Sequence, residues 1–348
     1  MAGPLTVAVY SLELGHYACA RLRFLDPARA LRGRLRLVWG AKSDGRNYAL
    51  DPGAMDAADV VVFQRVFPMP ETWPLVERAF GLGKPVVYEV DDHFEAMPPD
   101  HPMAPRLAPA AAHRRELAMR AQAVCVSTPE LARVFSHVPG RVAVVPNLVD
   151  EAIFFPFSRS PEPADRAVRI VYAGSPTHSS DLDMIAPALT GILDRFGHAV
   201  ELFFFGCGPK DPGLADRAGR LDFTDDYTAY ARSLSRLAPD IGLAPLRDTP
   251  FNRAKSNIKA LEYAALGVAG VYADLPPYQG PGGGPGPFGP LAGPDPDQWE
   301  KTIAALVTDA ALRRRIAARA RGLAVAEYGL SRHARTYLDF YEDVARGR

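Results

Sequence analysis

Between residues 251 and 274 the chain reads "FNRAKSNIKALEYAALGVAGVYAD", with two lysines and one glutamate at helical spacing. Lys255, Lys259 and Glu262 fall at i, i+4 and i+7, beside a second stripe of Ile258, Leu261 and Ala265. Ser256 and Asn257 are good N-caps and Gly267 is a stop signal, so a helix is expected between them. The run "IGLAPL" before it reads as a strand. A helix that begins at the carboxyl end of a strand offers free backbone N–H groups and the positive end of its dipole. With the charge of Lys255 added, that end suits a diphosphate. Glu262, about two turns on, can accept two hydrogen bonds from a vicinal diol such as ribose. The same spacing also fits a plain amphipathic surface helix in which Lys259 and Glu262 form an i, i+3 ion pair.

Other polar groups follow apolar runs in the same way. In "AGSPTHSSDLDMI", Gly174 allows close backbone approach, and Ser179 or Ser180 can cap the helix that follows. His178 is either a ligand contact or simply exposed. Asp181 and Asp183 mimic a D-x-D metal motif, but acids are expected at a helix start for dipole reasons, and no metal is expected there. "YEVDDHF" closes another apolar run with Asp91, Asp92 and His93. A carboxylate at a strand end can orient hydroxyls, stabilise positive charge or accept a proton; alternatively it caps the next turn. In "SLELGHYACARLR", Gly15 suits a tight turn, with His16 and Tyr17 beside it. Arg21 and Arg23 read as helix surface. Asn147 in "VPNLVD" is expected to fix the hinge where the chain leaves its first half, without a catalytic role.

The elements that position these groups alternate. Apolar, β-branched runs recur as "LTVAVYSL", "LRLVWGA", "VVVFQRV", "PVVYEVDD", "VCVST" and "VAVVPN". Stretches of helical composition, such as "ACARLRFLDPARAL" and "TWPLVERAFGLG", lie between them. Continuous apolar strands separated by helices predict a parallel sheet covered on both faces. "FFPFSRSPEPADRA", residues 154–167, lacks a period and reads as a linker. The alternation then restarts with "VRIVYAGS", "VELFFFG", "IGLAPL" and "VAGVYA". The expected fold is α/β, two doubly wound Rossmann-like domains facing a central cleft, with ligands beyond the carboxyl ends of the strands. "PYQGPGGGPGPFGPLAGPDP" favours a mobile surface loop.

Composition narrows the function classes. The 348 residues suit two domains, and 48% apolar with 23% charged residues fits a globular enzyme rather than a disordered chain. Lysine plus arginine and aspartate plus glutamate balance at 40 each, so nothing pulls the whole chain toward nucleic acid or anionic membrane. An anionic ligand must be held by local groups. Cys19, Cys125 and Cys207 have neither pairing nor zinc spacing and read as reduced buried thiols of a cytoplasmic protein. The N-terminus lacks the pattern of a secretory signal, and no apolar run is long enough to span a bilayer. Arg313, Arg314, Arg315, Arg319 and Arg321 could touch anionic lipid at the inner face of a membrane; a solvated helix face is the plainer reading.

Seven segments in order, from "ACARLRFLDPARAL" through "KPVVYEVDDHFEAMPPDHP", "AVCVSTPELARVF", "VAVVPNLVD", "IVYAGSPTHSSDLDMI" and "ELFFFGCGP" to "DIGLAPLRDTPFNRAKSNIKALEYAALGVAGVYAD", cover most of the chain. Together they resemble the GT-B nucleotide-sugar glycosyltransferases, most of all the retaining family 4 group and its relatives in bacterial polysaccharide clusters. The resemblance implies transfer of a sugar from a nucleoside-diphosphate donor to a hydroxyl acceptor, with retention, no cofactor and no essential metal. The acceptor would be a glycan, a lipid-linked glycan or a small molecule. By resemblance Glu262 is the second glutamate of an E-x7-E motif and holds the donor ribose; Ala254 stands in the place of the first. Ser175 and Ser180 stand where many members carry an arginine and a lysine on the diphosphate. Phosphate binding would then rest on Gly174, Ser175, His178, Lys255, Ser256 and Asn257. Asp91 takes the place of a histidine that faces the reacting sugar, followed by Asp92 and His93. Gly15, His16 and Tyr17 would contact sugar or acceptor. A non-catalytic nucleotide-sugar binder or scaffold, and a GT-B-type epimerase, are the alternatives. The expected domains are 1–153, a linker at 154–167, a nucleotide-sugar domain at 168–325, and a C-terminal helix at 326–348 packing back on the first domain.

Overall fold

The computed structural model describes residues 3–13, 15–43, 48–157 and 166–348. They form two compact units. The first comprises Met1–Leu148, Ala254–Ser256 and Leu330–Arg348; the second comprises Val149–Arg253 and Asn257–Gly329.

The first unit is built on strands β1 (Leu5–Tyr10), β2 (Leu35–Trp39), β5 (Val60–Gln64), β6 (Val86–Val90), β7 (Ala123–Val126) and β8 (Arg141–Val144), with a small β3 (Ala41–Ser43) and β4 (Tyr48–Leu50) hairpin outside the sheet. The six strands run parallel in the order β2-β1-β5-β6-β7-β8. β5 and β6 are buried at every residue, as continuous apolar strands must be when both faces are covered. The helix Arg335–Ala345 lays Tyr337, Leu338, Phe340, Tyr341 and Val344 into the core on one face of this sheet.

The second unit repeats the plan with β9 (Val168–Ala173), β10 (Val200–Phe205), β11 (Gly219–Leu221), β12 (Ile241–Ala244), β13 (Ala269–Ala273) and β14 (Leu291–Ala292). These strands are also all parallel, in the order β11-β10-β9-β12-β13-β14. Both sheets are therefore doubly wound, as the alternation predicts. In the first sheet the order reverses between β1 and β5, and in the second between β9 and β12. Ligands of open α/β sheets bind beyond the carboxyl ends of the strands at such reversals.

Several sequence expectations change. The helix expected after "IGLAPL" spans Ile258–Leu266 and ends on Gly267 in the left-handed conformation (φ 73°). It is not an amphipathic surface helix: every residue from Ala260 to Leu266 is buried, because it lies between β12 and the long helix Ala310–Tyr328. Gly242 on β12 makes this possible, since a Cβ there would meet the Tyr263 ring at 2.7 Å. Tyr263 in turn donates to the Leu243 carbonyl at 3.0 Å. Asn257 is at the cap position but makes no side-chain cap bond, and neither Ser179 nor Ser180 caps a helix: both lie inside Ser179–Asp183, behind His178. The glycine- and proline-rich stretch is exposed at Pro281, Gly282, Gly283 and Pro285, as expected of a surface loop, but is anchored on both sides of that segment. Tyr278 and Phe288 are buried, and Gly289 sits so close to Gly270 that a Cβ would overlap its carbonyl. Of the predicted linker, Phe154 ends a helical turn and Phe155–Phe157 form a 3-10 turn, while residues 158–165 lie outside the described residues. The three cysteines are free, but only Cys125 is buried; Cys19 and Cys207 are half-buried. Arg314, Arg315 and Arg319 are exposed, whereas Arg313 donates to the Leu306 and Val307 carbonyls and Arg321 lies over the Phe155 ring. Among the described residues no helix is long and apolar enough to cross a membrane.

Candidate functional site

At the reversal of the first sheet, Ser11 and Glu13 follow β1 and Arg65 follows β5. The Ser11 hydroxyl donates to Gln64 Oε1 at 2.6 Å and so ties the two strand ends together. Arg65 has a left-handed backbone (φ 52°), uncommon for a residue with a side chain. Its guanidinium bonds Asp91, lies 3.2 Å from Asp92 and 3.3 Å from Glu13, and packs over the Phe94 ring. Lys255 adds a second cation, its Nζ 3.3 Å from Asp92 Oδ1. The lysine expected to serve a diphosphate at a helix start is thus engaged with a carboxylate of the first unit. Asp91 and Asp92 are both half-buried, and the cap position of the next turn, Phe94–Ala96, belongs to His93, which makes no side-chain cap bond. The aspartates form a charge cluster with Arg65 and Lys255. Burial lowers the pKa of His93, against the opposing pull of Glu95, so its ring is neutral at pH 7 and can accept a proton. Burial pushes the Cys19 thiol up, which removes a thiolate nucleophile from this cluster. Gly15 and His16 are exposed and Tyr17 is half-buried, with the His16 and Tyr17 rings edge-to-face at 4.8 Å.

Sequence reasoning missed Arg65. The available signal was position: it is the first residue beyond the strand Val60–Gln64, at the carboxyl end where ligands of such sheets bind. It also misjudged Arg23. That residue is no surface arginine: it is 1% exposed, because the helix from Ala18 to Ala30 passes through a π-helical segment, Arg21–Leu25, that lies against the sheet. Its Nε donates to Glu89 at 2.7 Å, and Nη1 to the Val145 carbonyl at 2.6 Å, to Asn147 Oδ1 at 3.1 Å and to the Tyr337 hydroxyl at 3.1 Å. Arg21 is the partly exposed one and pairs with Asp26 at 2.8 Å. Asn147 passes the network on, donating to Ser256 Oγ at 3.0 Å. Ser256 is thereby held by the first unit rather than serving as a helix cap.

At the reversal of the second sheet, the loop after β9 carries Gly174, Ser175 and His178. Gly174 admits no side chain, since a Cβ would meet the Tyr172 hydroxyl at 2.5 Å. Ser175 Oγ and Thr177 Oγ1 are hydrogen-bonded at 2.7 Å, and His178 Nδ1 lies 2.8 Å from Asp181 Oδ2. Asp181 is 5% exposed and accepts from the Arg247 N–H and from Asn252 Nδ2, both at 2.8 Å. It fastens the loop after β9 to the segment after β12. Asp183 instead accepts from the Lys210 N–H at 2.8 Å. Among the described residues no group of three or more His, Cys, Asp or Glu side chains is arranged to hold a metal. In the helix Ile258–Leu266, Glu262 is 2% exposed. Its Oε2 accepts from Lys259 Nζ and from the Tyr230 hydroxyl, each at 2.8 Å. The i, i+3 ion pair is therefore present, and Lys259, about a quarter exposed, is the cation beside Glu262.

Two doubly wound parallel-sheet units in this order along the chain define the GT-B glycosyltransferase fold. The chain is similar to the sucrose-phosphate synthase of Thermosynechococcus elongatus, with TM-score 0.68 and 14% identity over 99% of this chain and 100% of that one. It is similar to a glycosyltransferase of Rickettsia africae, with TM-score 0.67 and 11% identity over 100% of both chains. It is also similar to Anabaena HepE in complex with UDP-glucose, with TM-score 0.66 and 16% identity over 97% of this chain and 100% of that one. No family model matches the chain, and no curated protein matches it in sequence.

Proposed function

We propose that this protein is a glycosyltransferase that moves a sugar from a nucleoside-diphosphate donor to a hydroxyl acceptor with retention of configuration. The observation that carries the reading is the reversal point of the second sheet. There a glycine-only loop end at Gly174, hydroxyl groups on Ser175 and Thr177, and the Lys259–Glu262 pair stand on elements that begin or end at one edge of the sheet. In this reading the diphosphate takes the Gly174–His178 loop and the start of the helix at Asn257, and the ribose takes Glu262. Backbone N–H groups there bind most strongly as charge builds on the leaving phosphate, which favours the transition state. Asp91, Asp92 and His93 are assigned to the reacting sugar and acceptor, together with Gly15, His16 and Tyr17 after β1. Residue chemistry asks for no metal and no cofactor in these roles. Because HepE was solved with UDP-glucose and with UDP, the first donor to test is UDP-glucose. A bound nucleotide at one hundred times its Kd adds about 2.7 kcal/mol of stability, read as a raised Tm. UDP released from UDP-glucose, with and without added sugar acceptors, then separates a transferase from a protein that only binds. A raised Tm without turnover of any nucleotide sugar would favour the binding-protein alternative.

Glu262→Gln tests the ribose contact. Gln keeps the shape and can still accept from Tyr230, but it loses the charge. Donor binding is expected to weaken by about 1.5–3 kcal/mol in calorimetry with UDP, while the melt stays close to the parent. Unchanged affinity would leave Glu262 as a partner of Lys259 and Tyr230 alone.

A further inference from the structure

Glu13 completes the charge cluster beyond the carboxyl ends of β1, β5 and β6. Ser11 holds it there: the hydroxyl that donates to Gln64 accepts the Glu13 N–H at 3.0 Å. The Glu13 carboxylate lies 3.3 Å from Arg65 Nε. Arg65 also bonds Asp91 and stands 3.2 Å from Asp92, and Lys255 stands 3.3 Å from Asp92. Three carboxylates thus face two cations, a formal charge of one negative. Among the described residues the surrounding groups leave that sum standing. Arg23 pairs with Glu89, and Arg114, on the same Phe94 ring as Arg65, pairs with Glu95 at 3.0 Å. The His93 ring is neutral at pH 7, and burial pushes the Cys19 thiol up, so it adds no charge. The three carboxylate side chains are only 11–21% exposed, so water and salt screen them weakly.

We propose that the first unit selects an uncharged acceptor, a sugar or polyol that offers only hydroxyl groups, and that Glu13 sets this selectivity by excluding phosphorylated and carboxylated acceptors. This rests on the transferase reading above and names its acceptor class. Hydroxyl groups suit such a cluster, because each donates to a carboxylate oxygen and each carboxylate offers about four lone-pair positions. A phosphate or a further carboxylate brings negative charge to a place where both cations are already matched. Like charges held together there cost several-fold to many-fold in affinity. Repulsion of the wrong partner then decides the choice as much as attraction of the right one. Without Glu13 the formal sum is zero and the barrier to an anionic acceptor falls.

Nucleotide release from UDP-glucose, ADP-glucose and GDP-glucose decides it, measured with glucose, fructose, mannose and glycerol and with the monophosphates of the same compounds. With a donor that the parent turns over, an uncharged acceptor is expected to exceed its own phosphate by about 10-fold or more in kcat/KM. Added salt is expected to raise any residual use of the phosphate and to leave its uncharged counterpart level, because only the repulsion is screened. Glu13→Gln keeps the shape, and the preference is expected to shrink severalfold. A parent that uses the phosphates as well as the uncharged compounds overturns the selectivity and leaves the transferase reading standing. So does donor hydrolysis that no uncharged acceptor accelerates. A Glu13→Gln variant with a parental melt and the full preference overturns the role of Glu13. If that variant does not fold, the salt series on the parent decides, since a preference that salt leaves unchanged is not electrostatic. A parent that releases nucleotide from none of the three donors overturns both readings.

Discussion

Replacing Asp91 or Asp92 by Asn is expected to slow the chemical step by about 10²–10⁴-fold if the carboxylate takes a proton or faces developing positive charge. Asn keeps the size and can still accept a hydrogen bond from Arg65 or Lys255, so the cluster is expected to stay assembled. Only charge and basicity are lost. Donor affinity is expected to change little, because the nucleotide groups proposed above belong to the second unit. The measurement is single-turnover release of UDP from UDP-glucose, with calorimetry and a melt for each variant. The competing outcome is specific to this geometry. If the aspartates only neutralise Arg65 and Lys255, both Asn variants turn over like the parent but melt lower, since two partly buried cations lose a counter-charge. That result would move catalysis away from this strand end.

Arg23→Met is expected to destabilise the first unit by about 3–5 kcal/mol, measured by denaturant unfolding. Arg23 and Glu89 are each 1% exposed, so removing the guanidinium strands a carboxylate in the core. It also unties the Val145 carbonyl, Asn147 and the Tyr337 hydroxyl together. Burial already pushes the Glu89 carboxyl above its usual range, against the pull of Arg23. Without Arg23 that pull is gone and the folded-state pKa rises further. A carboxyl whose folded pKa lies above its unfolded value stabilises the fold fully below the unfolded pKa, about 4.3, and loses this as pH rises through the folded value. The loss in Arg23→Met is therefore expected to be larger at pH 7 than at pH 5. Adding Glu89→Gln should recover part of it at pH 7, because no unpaired charge remains. A variant with parental stability would mean that water reaches this network.

The network has a functional side. Val145 and Asn147 precede the chain's exit from the first unit at Leu148, Ser256 ends its second visit, and Tyr337 lies on its return after Leu330. Arg23 bonds Val145, Asn147 and Tyr337 directly and Ser256 through Asn147. Asn147 accepts from Arg23 and donates to Ser256, so it links the first passage of the chain through this unit to the second. Each passage of the chain through the first unit is anchored on one guanidinium.

What the sequence determined by itself was local. Among the described residues ten apolar runs became ten of the twelve strands of the two parallel sheets, and the central ones, β5 and β6, are continuous apolar stretches because both their faces are covered. Gly267 ended its helix where predicted, because only a residue without Cβ takes the left-handed turn cheaply. The short β11 and β14 escaped, since three and two residues carry no period. The ends of the strands also announced where the polar chemistry gathers. Which polar group meets which was decided only by tertiary structure. Arg23 and Arg21 are indistinguishable in composition, and burial of the one depends on Glu89 and on Tyr337, 314 residues away. Lys255 looked like part of its helix, but its partner Asp92 lies 163 residues earlier. Helical spacing describes neighbours within a few turns, whereas the charge that holds a side chain is set by whichever strand the topology brings beside it. The position of Arg65 after β5 was legible in the sequence; that it meets Glu13, Asp91 and Asp92 was decided by the sheet order, which puts the ends of β1, β5 and β6 side by side.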